Sequence, residues 1–435
     1  MAVTNYRSWG YAPESAVKAR VPAWSNELIN DDESCLAYGN GRSYGDSCFN
    51  SKGTLVDTRS LDRFISFDRE SGLLTAEPGL TLNAILKLVV PAGWFLPVSP
   101  GTSFVTLGGA IANDVHGKNH HCDGTFGRHV TRFSLLRSSG EKLECSPIVN
   151  KDLYAATIGG LGLTGIISDA SVQLIPITSE YLDVRIDTFR GLAEFHDLSS
   201  LRAQENRYTV AWLDCAASGR EFARGVLLSA NHSDYPPLSK KTLSIEPRLT
   251  VPFNFPAWVL NRYSVRTFNG LYFHRHRRIE GEKIRQGIKP FFYPLDALDR
   301  WNRIYGAKGF HQYQFVVPFD AIDTLESILR RIVQSGFGSF LAVLKEFGKL
   351  ESPGLLSFPR PGYCLALDFA SRGKKTIRLI DAIDHEVREA GGAAYPAKDR
   401  LMSEASFKSY FPRWEVFTNS VDPKFNSDFW QRVHG

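Results

Sequence analysis

Three glycine-rich segments fall within the first 175 residues of the 435-residue chain. They are GNGRSYGD at 39–46, PGTSFVTLGGAIA at 100–112 and GGLGLTG at 159–165. Glycine adopts positive φ without strain and lets backbone N–H groups approach an anion such as a pyrophosphate. Each segment alone could equally be a tight turn or a place of close backbone packing. Three of them in one half favour an extended, pyrophosphate-bearing cofactor.

The third segment contains the spacing GxGxxG at 160–165, which in dinucleotide-binding folds follows a strand and opens a helix. In this chain it follows a helical pattern at 152–156 and leads into a strand-like run at 166–168. We therefore reject a nicotinamide-binding turn. The sequence also lacks GxSxG, a Walker lysine loop and HExxH, so hydrolase and kinase functions have no support.

The histidines and cysteines indicate neither a metal site nor a disulfide framework. Three of the eleven histidines lie in NDVHGKNHH at 113–121, but His116 and His120 would share a face only in a helix, which Gly117 disfavours. The six cysteines are scattered without CxxC spacing, which is typical of a reducing compartment. We predict no bound metal.

No targeting or membrane-spanning segment is predicted. The N-terminus, MAVTNYRSWG, lacks the charged and apolar regions of a signal peptide. The uncharged stretch 88–113 contains three prolines and four glycines, which argues against a transmembrane helix. We expect a cytoplasmic or peripheral membrane location.

The net charge of +5 is concentrated in residues 246–278. This stretch has six arginines, one acid, seven aromatic residues and two histidines, whereas the rest of the chain is balanced. Interspersed basic and aromatic residues are compatible with RNA or with an anionic surface. The neutral remainder lacks the broad basic patch of a nucleic-acid-binding protein, so no nucleic acid partner is expected. A non-catalytic binding module is the alternative from another class of function.

Hydrophobic periodicity predicts a mixed α+β fold. A helix should begin after the N-cap Thr81, with apolar positions 82, 85, 86 and 89 on one face. The later part of the chain has the order β-α-β-β-α-β of a ferredoxin-like unit. Its predicted elements are 312–317, 321–335, 339–347, 363–369, 375–390 and 393–396. Residues 178–310 show no clear pattern.

Such a unit covers one face of its sheet with helices and leaves the other face free. Side chains alternate between the faces of a strand. The pairs that share the free face are Gln312 with Gln314, Lys345 with Phe347, and Cys364 with Ala366. An unpaired buried polar group costs about 1–3 kcal/mol, so a polar ligand on this face would satisfy these groups. A solvent-facing sheet is the alternative.

Taken in order, the motifs resemble the FAD-binding domain of the vanillyl-alcohol oxidase superfamily, the PCMH-type flavoproteins. They are GNGRSYGD, AEPGLTLNAIL, GWFLPVSPGT with VTLGGAIA, HGKNHH with GTFG, and GGLGLTGII. Within that superfamily HGKNHH, QYQFVVP, LKEFG, LSFPRPG and AYPAKD are similar to the decaprenylphosphoryl-β-D-ribose 2′-oxidase group. The resemblance implies a two-part FAD domain, 1–177 and 394–435. It also implies an inserted substrate domain, 178–393, whose antiparallel sheet covers the isoalloxazine ring.

The resemblance implies non-covalent FAD, because Arg42-Ser43-Tyr44 stands where relatives with covalent FAD carry a histidine. It implies the following cofactor-binding residues: Gly39, Asn40, Gly41, Arg42, Ser43, Tyr44, Gly45, Gly101, Thr102, Gly108, Gly109, Ala110, His116, Gly117, Lys118, Gly160, Gly162, Ile166 and Lys398.

Lys398 and His116 are the catalytic residues that the resemblance implies. Lys398 matches the family's active-site lysine, which would hold the substrate hydroxyl and offset negative charge on the reduced flavin. The expected substrate-binding residues are Tyr44, Tyr293, Gln312, Gln314, Lys345, Phe347, Cys364 and Ala366.

The implied reaction is oxidation of the 2′-hydroxyl of a polyprenyl-phosphate pentose or related saccharide. A separate NADH-dependent reductase would complete an epimerisation in cell-envelope polysaccharide synthesis. Cys364 and Ala366 stand where mycobacterial members carry asparagine and cysteine, which weakens the case for the identical sugar. An aldonolactone or alditol oxidase that uses soluble sugars and oxygen is the alternative. For the polyprenyl-phosphate substrate, residues 246–278 would suit an anionic lipid at a bilayer surface.

Overall fold

The computed structural model describes residues 6–11, 17–27, 34–235, 247, 249–256 and 258–435. The first five residues of the N-terminal sequence, and Glu246 and Arg248 of the basic stretch, lie outside these ranges. Within the described ranges, no helix has both the length and the apolar character needed to cross a membrane.

The described part of the chain forms strands and helices that are mixed along the sequence, as an α+β fold requires. The strands are β1 (Lys18–Arg20), β2 (Cys35–Tyr38), β3 (Thr54–Asp57), β4 (Phe64–Phe67), β5 (Leu73–Ala76), β6 (Trp94–Phe95), β7 (Val130–Leu136), β8 (Lys142–Cys145), β9 (Ile166–Gln173), β10 (Ile175–Pro176), β11 (Tyr181–Arg190), β12 (Tyr208–Leu213), β13 (Arg224–His232), β14 (Leu249–Thr250), β15 (Lys283–Gly287), β16 (Leu298–Asp299), β17 (Phe310–Val317), β18 (Ala342–Phe347), β19 (Gly362–Ala370) and β20 (Ala393–Ala394). The helices are α1 (Leu82–Val89), α2 (Leu107–Ala112), α3 (His120–Asp123), α4 (Lys151–Thr157), α5 (Leu192–Glu205), α6 (Arg262–Arg277), α7 (Ile288–Phe292), α8 (Ile322–Ser335), α9 (Lys374–Glu389), α10 (Glu404–Tyr410), α11 (Trp414–Thr418) and α12 (Asp428–His434).

The N-terminal half contains a parallel sheet, β1-β3-β2, and an antiparallel sheet, β4-β5-β9-β7-β8. Helix α1 begins as predicted, because Thr81 Oγ1 accepts a hydrogen bond from Ala84 N at 3.2 Å. The GxGxxG segment follows helix α4 and leads into strand β9. The rejection of a nicotinamide-binding turn is therefore confirmed.

The eight-stranded sheet consists of two β-α-β-β-α-β units joined edge to edge. Its strand order is β15-β11-β13-β12-β18-β19-β17-β20, and every neighbouring pair is antiparallel. The second unit, from β17 to β20, has the elements predicted from periodicity, with ends within three residues of those predicted. The first unit, β11-α5-β12-β13-α6-β15, lies in the stretch whose sequence shows no clear periodic pattern.

The two faces of this sheet have different roles. Helices α5, α8 and α9 pack on one face over buried side chains that include Phe189, Phe315 and Leu367. On the other face of the second unit lie Gln312, Gln314, Lys345, Cys364 and Ala366, so the predicted alternation is confirmed. Helix α6 packs on this other side of the first unit, where Phe273 contacts Ile186 and Val226.

The C-terminal tail returns to the N-terminal strands. Cys35 N donates to Lys424 O at 2.8 Å, and Arg432 forms ion pairs with Asp46 at 2.8 Å and with Asp399 at 3.1 Å. These contacts pack the tail directly on the first glycine-rich segment.

Candidate functional site

The glycine-rich segments and the polar face of the large sheet enclose a cavity of about 300 Å³, which we call the central cavity. The expected cofactor-binding residues that line it are Gly39, Asn40, Gly41, Arg42, Ser43, Tyr44, Gly101, Thr102, Gly108, Gly109, His116, Gly162, Ile166 and Lys398. The expected substrate-binding residues that line it are Tyr44, Gln312, Gln314, Lys345 and Ala366. The fold thus brings together most residues of both sets.

Some expected cofactor-binding residues lie outside this lining, contrary to the prediction. They are Gly45, Ala110, Gly117, Lys118 and Gly160. A Cβ at Gly45 would lie 1.5 Å from Asp399 O, so glycine there allows the tail to touch the first segment. The Lys118 ammonium donates to Phe292 O at 3.1 Å. These residues support the wall of the cavity and do not form its surface.

Three expected substrate-binding residues are also absent from the lining. They are Tyr293, Phe347 and Cys364, all of which are fully buried. The Tyr293 hydroxyl is bonded to Ser99 Oγ, and the Phe347 ring packs against His116 at 4.9 Å between centroids. Tyr293 and Phe347 therefore pack beneath the lining, and their direct contact with substrate stays a prediction.

The first two glycine-rich segments are in close contact. Gly41 has a φ of +58°, and a Cβ there would lie 2.2 Å from the Tyr38 hydroxyl. A Cβ at Gly39 would lie 2.5 Å from Thr106 Oγ1, and the Asn40 amide donates to Phe104 O at 2.8 Å. Glycine is required at position 39 because a side chain would push the two segments apart. It is required at position 41 because a side chain would be strained at positive φ and would collide with Tyr38.

Arg42 places a positive charge at the cavity. Its guanidinium carbon lies 4.2 Å from the Trp9 ring centroid and 5.1 Å from that of Phe104. Its Nε is buried without a hydrogen-bond partner among the described residues. Burial lowers the pKa of Arg42, and the carboxylate of Asp296, which also lines the cavity, opposes that change. Arginine remains charged in proteins and matches phosphate oxygens with its fork of N–H groups.

Lys398 lies over the face of Tyr44. Its Nζ is 3.7 Å from the ring centroid, which is a cation–π contact when the amine is protonated. Burial lowers the pKa of Lys398 to about 7; Asp368 opposes the change and Lys345 adds to it. Near neutral pH the amine can therefore either accept or donate a proton.

Asp368 is a cavity residue that the sequence motifs do not indicate. It is 2% exposed, and it lies opposite Gln312 in the β17–β19 pairing. Its carboxylate accepts hydrogen bonds from Gln312 Nε2 at 2.5 Å and from the Tyr305 hydroxyl at 3.2 Å. Burial raises the pKa of Asp368 to about 7. The alternation that places Cys364 and Ala366 on this face also places residue 368 there, so the sequence does carry a signal for it.

His116 is a neutral hydrogen-bonding group in this cavity. Gln314 Nε2 lies 2.7 Å from His116 Nε2, and because an amide nitrogen only donates, the ring nitrogen accepts. The ring proton then sits on Nδ1, which is buried without a partner among the described residues. Burial lowers the pKa of His116 well below its ordinary value. The geometry suits a donor to a ligand better than a proton acceptor.

Comparison with known proteins decides the family. The family description FAD binding domain matches residues 27–146. The chain is 35% identical over 412 residues to decaprenylphosphoryl-β-D-ribose oxidase of Mycolicibacterium smegmatis, which covers 92% of this chain and 88% of that protein. The chain belongs to the decaprenylphosphoryl-β-D-ribose oxidase family. It is therefore a PCMH-type FAD flavoprotein and an FAD-dependent oxidoreductase acting on CH–OH groups.

Two further relatives of this chain give less information about its function. An uncharacterized protein in the mprA 5′ region of Streptomyces coelicolor is 32% identical over 380 residues, covering 81% of this chain and all of that protein. L-gulonolactone oxidase of Scyliorhinus torazame is 31% identical over 124 residues, covering 28% of each chain. The likeness to the lactone oxidase is thus confined to a minor part of the sequence.

The residues of the central cavity fit the FAD that the oxidase family requires. A Cβ at Gly101 would meet no atom within 4 Å, so the backbone there borders open space. Arg42 Nε and Ser47 Oγ are buried polar atoms of the lining without partners among the described residues. A cationic donor, a hydroxyl and bare backbone are the groups that bind a pyrophosphate. Arg42 and the glycine-rich segments would hold that part of the cofactor.

Proposed function

We propose that the protein oxidises the secondary 2′-hydroxyl of a polyprenyl-phosphate pentose, or of a related saccharide, to a keto sugar. The observation that carries this proposal is the polar wall of the central cavity. Gln312, Gln314, Lys345, Asp368 and Lys398 bring amides, amines and a carboxylate to one enclosed surface. A ring with several hydroxyls offers hydrogen-bond partners to such groups, whereas an apolar substrate would cover the amines of Lys345 and Lys398 without a partner at a cost of about 1–3 kcal/mol each.

We propose that the fold divides into the two-part FAD domain, 1–177 and 394–435, with residues 178–393 as the substrate domain. Two observations support this division. The tail packs on the first glycine-rich segment through the Arg432–Asp46 ion pair, and the eight-stranded sheet lies within 181–394. The sheet face that carries Gln312 and Gln314 would then lie over the bound ring.

In this proposal the protein positions the alcohol and handles its proton. FAD, when bound non-covalently, supplies the acceptor for the hydride that leaves the carbinol carbon. The neutral amine of Lys398 accepts the hydroxyl proton, since its pKa of about 7 leaves much of it unprotonated at neutral pH. The resulting ammonium then offsets the negative charge gained at the site. His116 donates through Nδ1 and orients the reactants.

The keto sugar would be a substrate for a separate NADH-dependent reductase, which completes a net epimerisation in cell-envelope polysaccharide synthesis. We propose this partner from the chemistry of the product, because oxidation at C2′ followed by reduction from the other face inverts that centre. Its test is conversion of the lipid-linked sugar to its epimer only when both enzymes and NADH are present.

We further propose that α6 and the preceding loop contact a membrane surface. Trp258, Tyr263 and Leu271 are 75%, 66% and 69% exposed, and exposed arginines surround them. Phe268 of α6 packs on Phe340, next to the cavity lining. A lipid-linked sugar could thus enter the cavity while its chain stays in the bilayer. Basic residues near an anionic surface contribute about 1 kcal/mol each.

The proposed substrate is tested by anaerobic reduction of the FAD-loaded protein. A short-chain polyprenylphosphoryl-β-D-ribofuranose should bleach the flavin absorbance, whereas free ribose, alditols and aldonolactones should not. The same panel of compounds in air, with hydrogen peroxide measured, tests the alternative of an oxidase that uses soluble sugars. Bleaching by free sugars or lactones with rapid peroxide formation would replace the proposal with a soluble-sugar oxidase.

A further inference from the structure

A second, smaller cavity of about 20 Å³ lies behind the polar wall; we call it the outer cavity. It is bounded by the start of α6, by residues 336–340 and by the end of β19. Among the described residues, Asp368 is the only one that lines both cavities. Tyr305, which donates to Asp368, also lines the outer cavity. One buried carboxylate therefore connects the two spaces.

The outer cavity lies beneath an exposed side chain. Arg372 is exposed, and its guanidinium donates to Leu260 O at 3.0 Å and stacks over Phe337 at 4.7 Å. All three residues belong to the lining. A space of about 20 Å³ holds roughly one water molecule. Such a water would lie between Asp368 and the solvent side at Arg372.

We propose that Asp368 receives the proton released by alcohol oxidation and passes it to solvent through the outer cavity. Oxidation of CH–OH to C=O removes a hydride, which FAD takes, and a proton, which Lys398 takes first. Lys398 must lose that proton before the next turnover, while cofactor and keto product still occupy the central cavity. Asp368, which interacts electrostatically with Lys398 in the wall of that cavity, accepts the proton, becomes a neutral carboxylic acid, and releases it to water in the outer cavity. The proposal rests on CH–OH oxidation, and not on the identity of the sugar.

The groups that face Asp368 suit this exchange. They are Lys398 and Tyr44 from the central cavity, Gln312 beside it, and Tyr305 with Arg372 toward the outer side. Burial raises the pKa of Asp368 and lowers that of Lys398, so that both lie at about 7. Because both shifts bring the two pKa values toward each other, proton transfer requires much less free energy than between an ordinary ammonium and an ordinary carboxylate.

Val265 allows the outer cavity to be changed without touching Asp368. It is 5% exposed and lines that cavity from α6. Val265→Ile adds one methyl group and should fill the space, whereas Val265→Ala enlarges it and serves as the matched control. Both substitutions leave the lining of the central cavity intact.

The first experiment is infrared spectroscopy of the FAD-loaded protein in H₂O and D₂O. We expect a protonated-carboxyl C=O band that titrates near pH 7 and disappears in Asp368→Asn. Its hydrogen–deuterium exchange should be fast in wild type and Val265→Ala, and at least several-fold slower in Val265→Ile. A titrating band that persists in Asp368→Asn, or equal exchange rates in the two Val265 variants, overturns the proposal.

The second experiment is a single turnover with the polyprenylphosphoryl ribose and a pH-indicator dye. In wild type, proton release should accompany flavin bleaching; in Asp368→Asn it should lag at least about tenfold, with FAD content unchanged. Synchronous release in that variant contradicts the proposal. If Asp368→Asn loses FAD or does not fold, the exchange rates of Val265→Ile and Val265→Ala test the proposal instead. If the wild-type flavin is not bleached, the proposed substrate is wrong, and the infrared result still decides the role of Asp368.

Discussion

The Nζ atom of Lys398 lies 3.7 Å from the centre of the Tyr44 ring. An amine from the C-terminal tail is thus held over an aromatic face from the first glycine-rich segment. This contact joins the N-terminal half and the C-terminal tail at the central cavity.

Replacing Lys398 tests its proposed role as the proton acceptor. Lys398→Ala should slow flavin reduction by substrate about 10²- to 10⁴-fold while FAD stays bound. Stopped-flow absorbance measures the first quantity and the ratio of flavin to protein absorbance measures the second. Lys408→Ala is the matched control, because Lys408 lies on α10 and is paired with Glu404. Wild-type reduction kinetics in Lys398→Ala would contradict the role, and loss of FAD would indicate a structural one.

The rate of flavin reduction should rise with pH through about 7 and level off above it, since only unprotonated Lys398 accepts the hydroxyl proton. The Tyr44 ring stabilises the ammonium by about 0.5–2 kcal/mol. Tyr44→Leu removes that contribution, so the pKa of Lys398 falls and the midpoint should move down by about 0.4–1.5 pH units. Tyr44→Phe keeps the ring and should keep the midpoint. A midpoint that moves upward in Tyr44→Leu would exclude this assignment.

Gly101 tests whether the glycine-rich wall holds the cofactor. A Cβ at this position would enter open space at the cavity, so Gly101→Val should weaken FAD binding at least about tenfold through a lost 1.4 kcal/mol. The melting temperature of the apoprotein should stay nearly unchanged. Gly287→Val, whose Cβ would make an ordinary contact of 3.8 Å with Pro290, is the control. Titration of apoprotein with FAD, followed by flavin fluorescence, gives both affinities. Unchanged FAD affinity in Gly101→Val would contradict the proposal that the glycine-rich wall holds FAD.

Neutralising the arginines at the end of α6 tests the membrane proposal. Replacing Arg275, Arg277 and Arg278 with glutamine should reduce sedimentation with anionic vesicles, while binding to neutral vesicles stays low in both proteins. Replacing Lys374, Lys375 and Arg378 on α9 removes the same charge from the opposite side of the sheet and should have little effect. Equal loss in both triple variants would mean that net charge alone, and not this surface, governs binding.

The elements that can be predicted from the sequence are those whose periodicity is uninterrupted. Helix α8 and strand β17 are recognisable because their apolar positions repeat regularly and Gly336 ends the helix. Strand β11 carries a weaker signal, because its alternation of buried apolar and less buried polar residues spans only 182–186 within a stretch that is otherwise without a clear pattern. Helix α6 escapes prediction because its sequence mixes arginine and aromatic residues, of which only a few are buried.

The sequence predicts some residues of the candidate site and misses others, because only some of them belong to local patterns. Glycines and the tail lysine belong to local motifs, and they line the cavity. Tyr293 lies outside the lining because its hydroxyl is taken up by Ser99 in a buried cluster, which the sequence does not show. Asp296 lines the cavity from the short 3₁₀ helix Pro294–Ala297 between α7 and β16, which has too few residues to show a periodic pattern.

The two halves of the eight-stranded sheet differ in what their common face contacts. In the first unit, Leu182, Val184 and Ala230 pack into the core shared with the five-stranded sheet and anchor the whole layer. In the second unit, the corresponding face carries polar groups that line the central cavity and that we propose meet the substrate. Substitutions on β17, β18 and β19 can therefore alter which alcohol is accepted without weakening the anchor. An engineer seeking a new sugar specificity would confine a mutant library to those three strands.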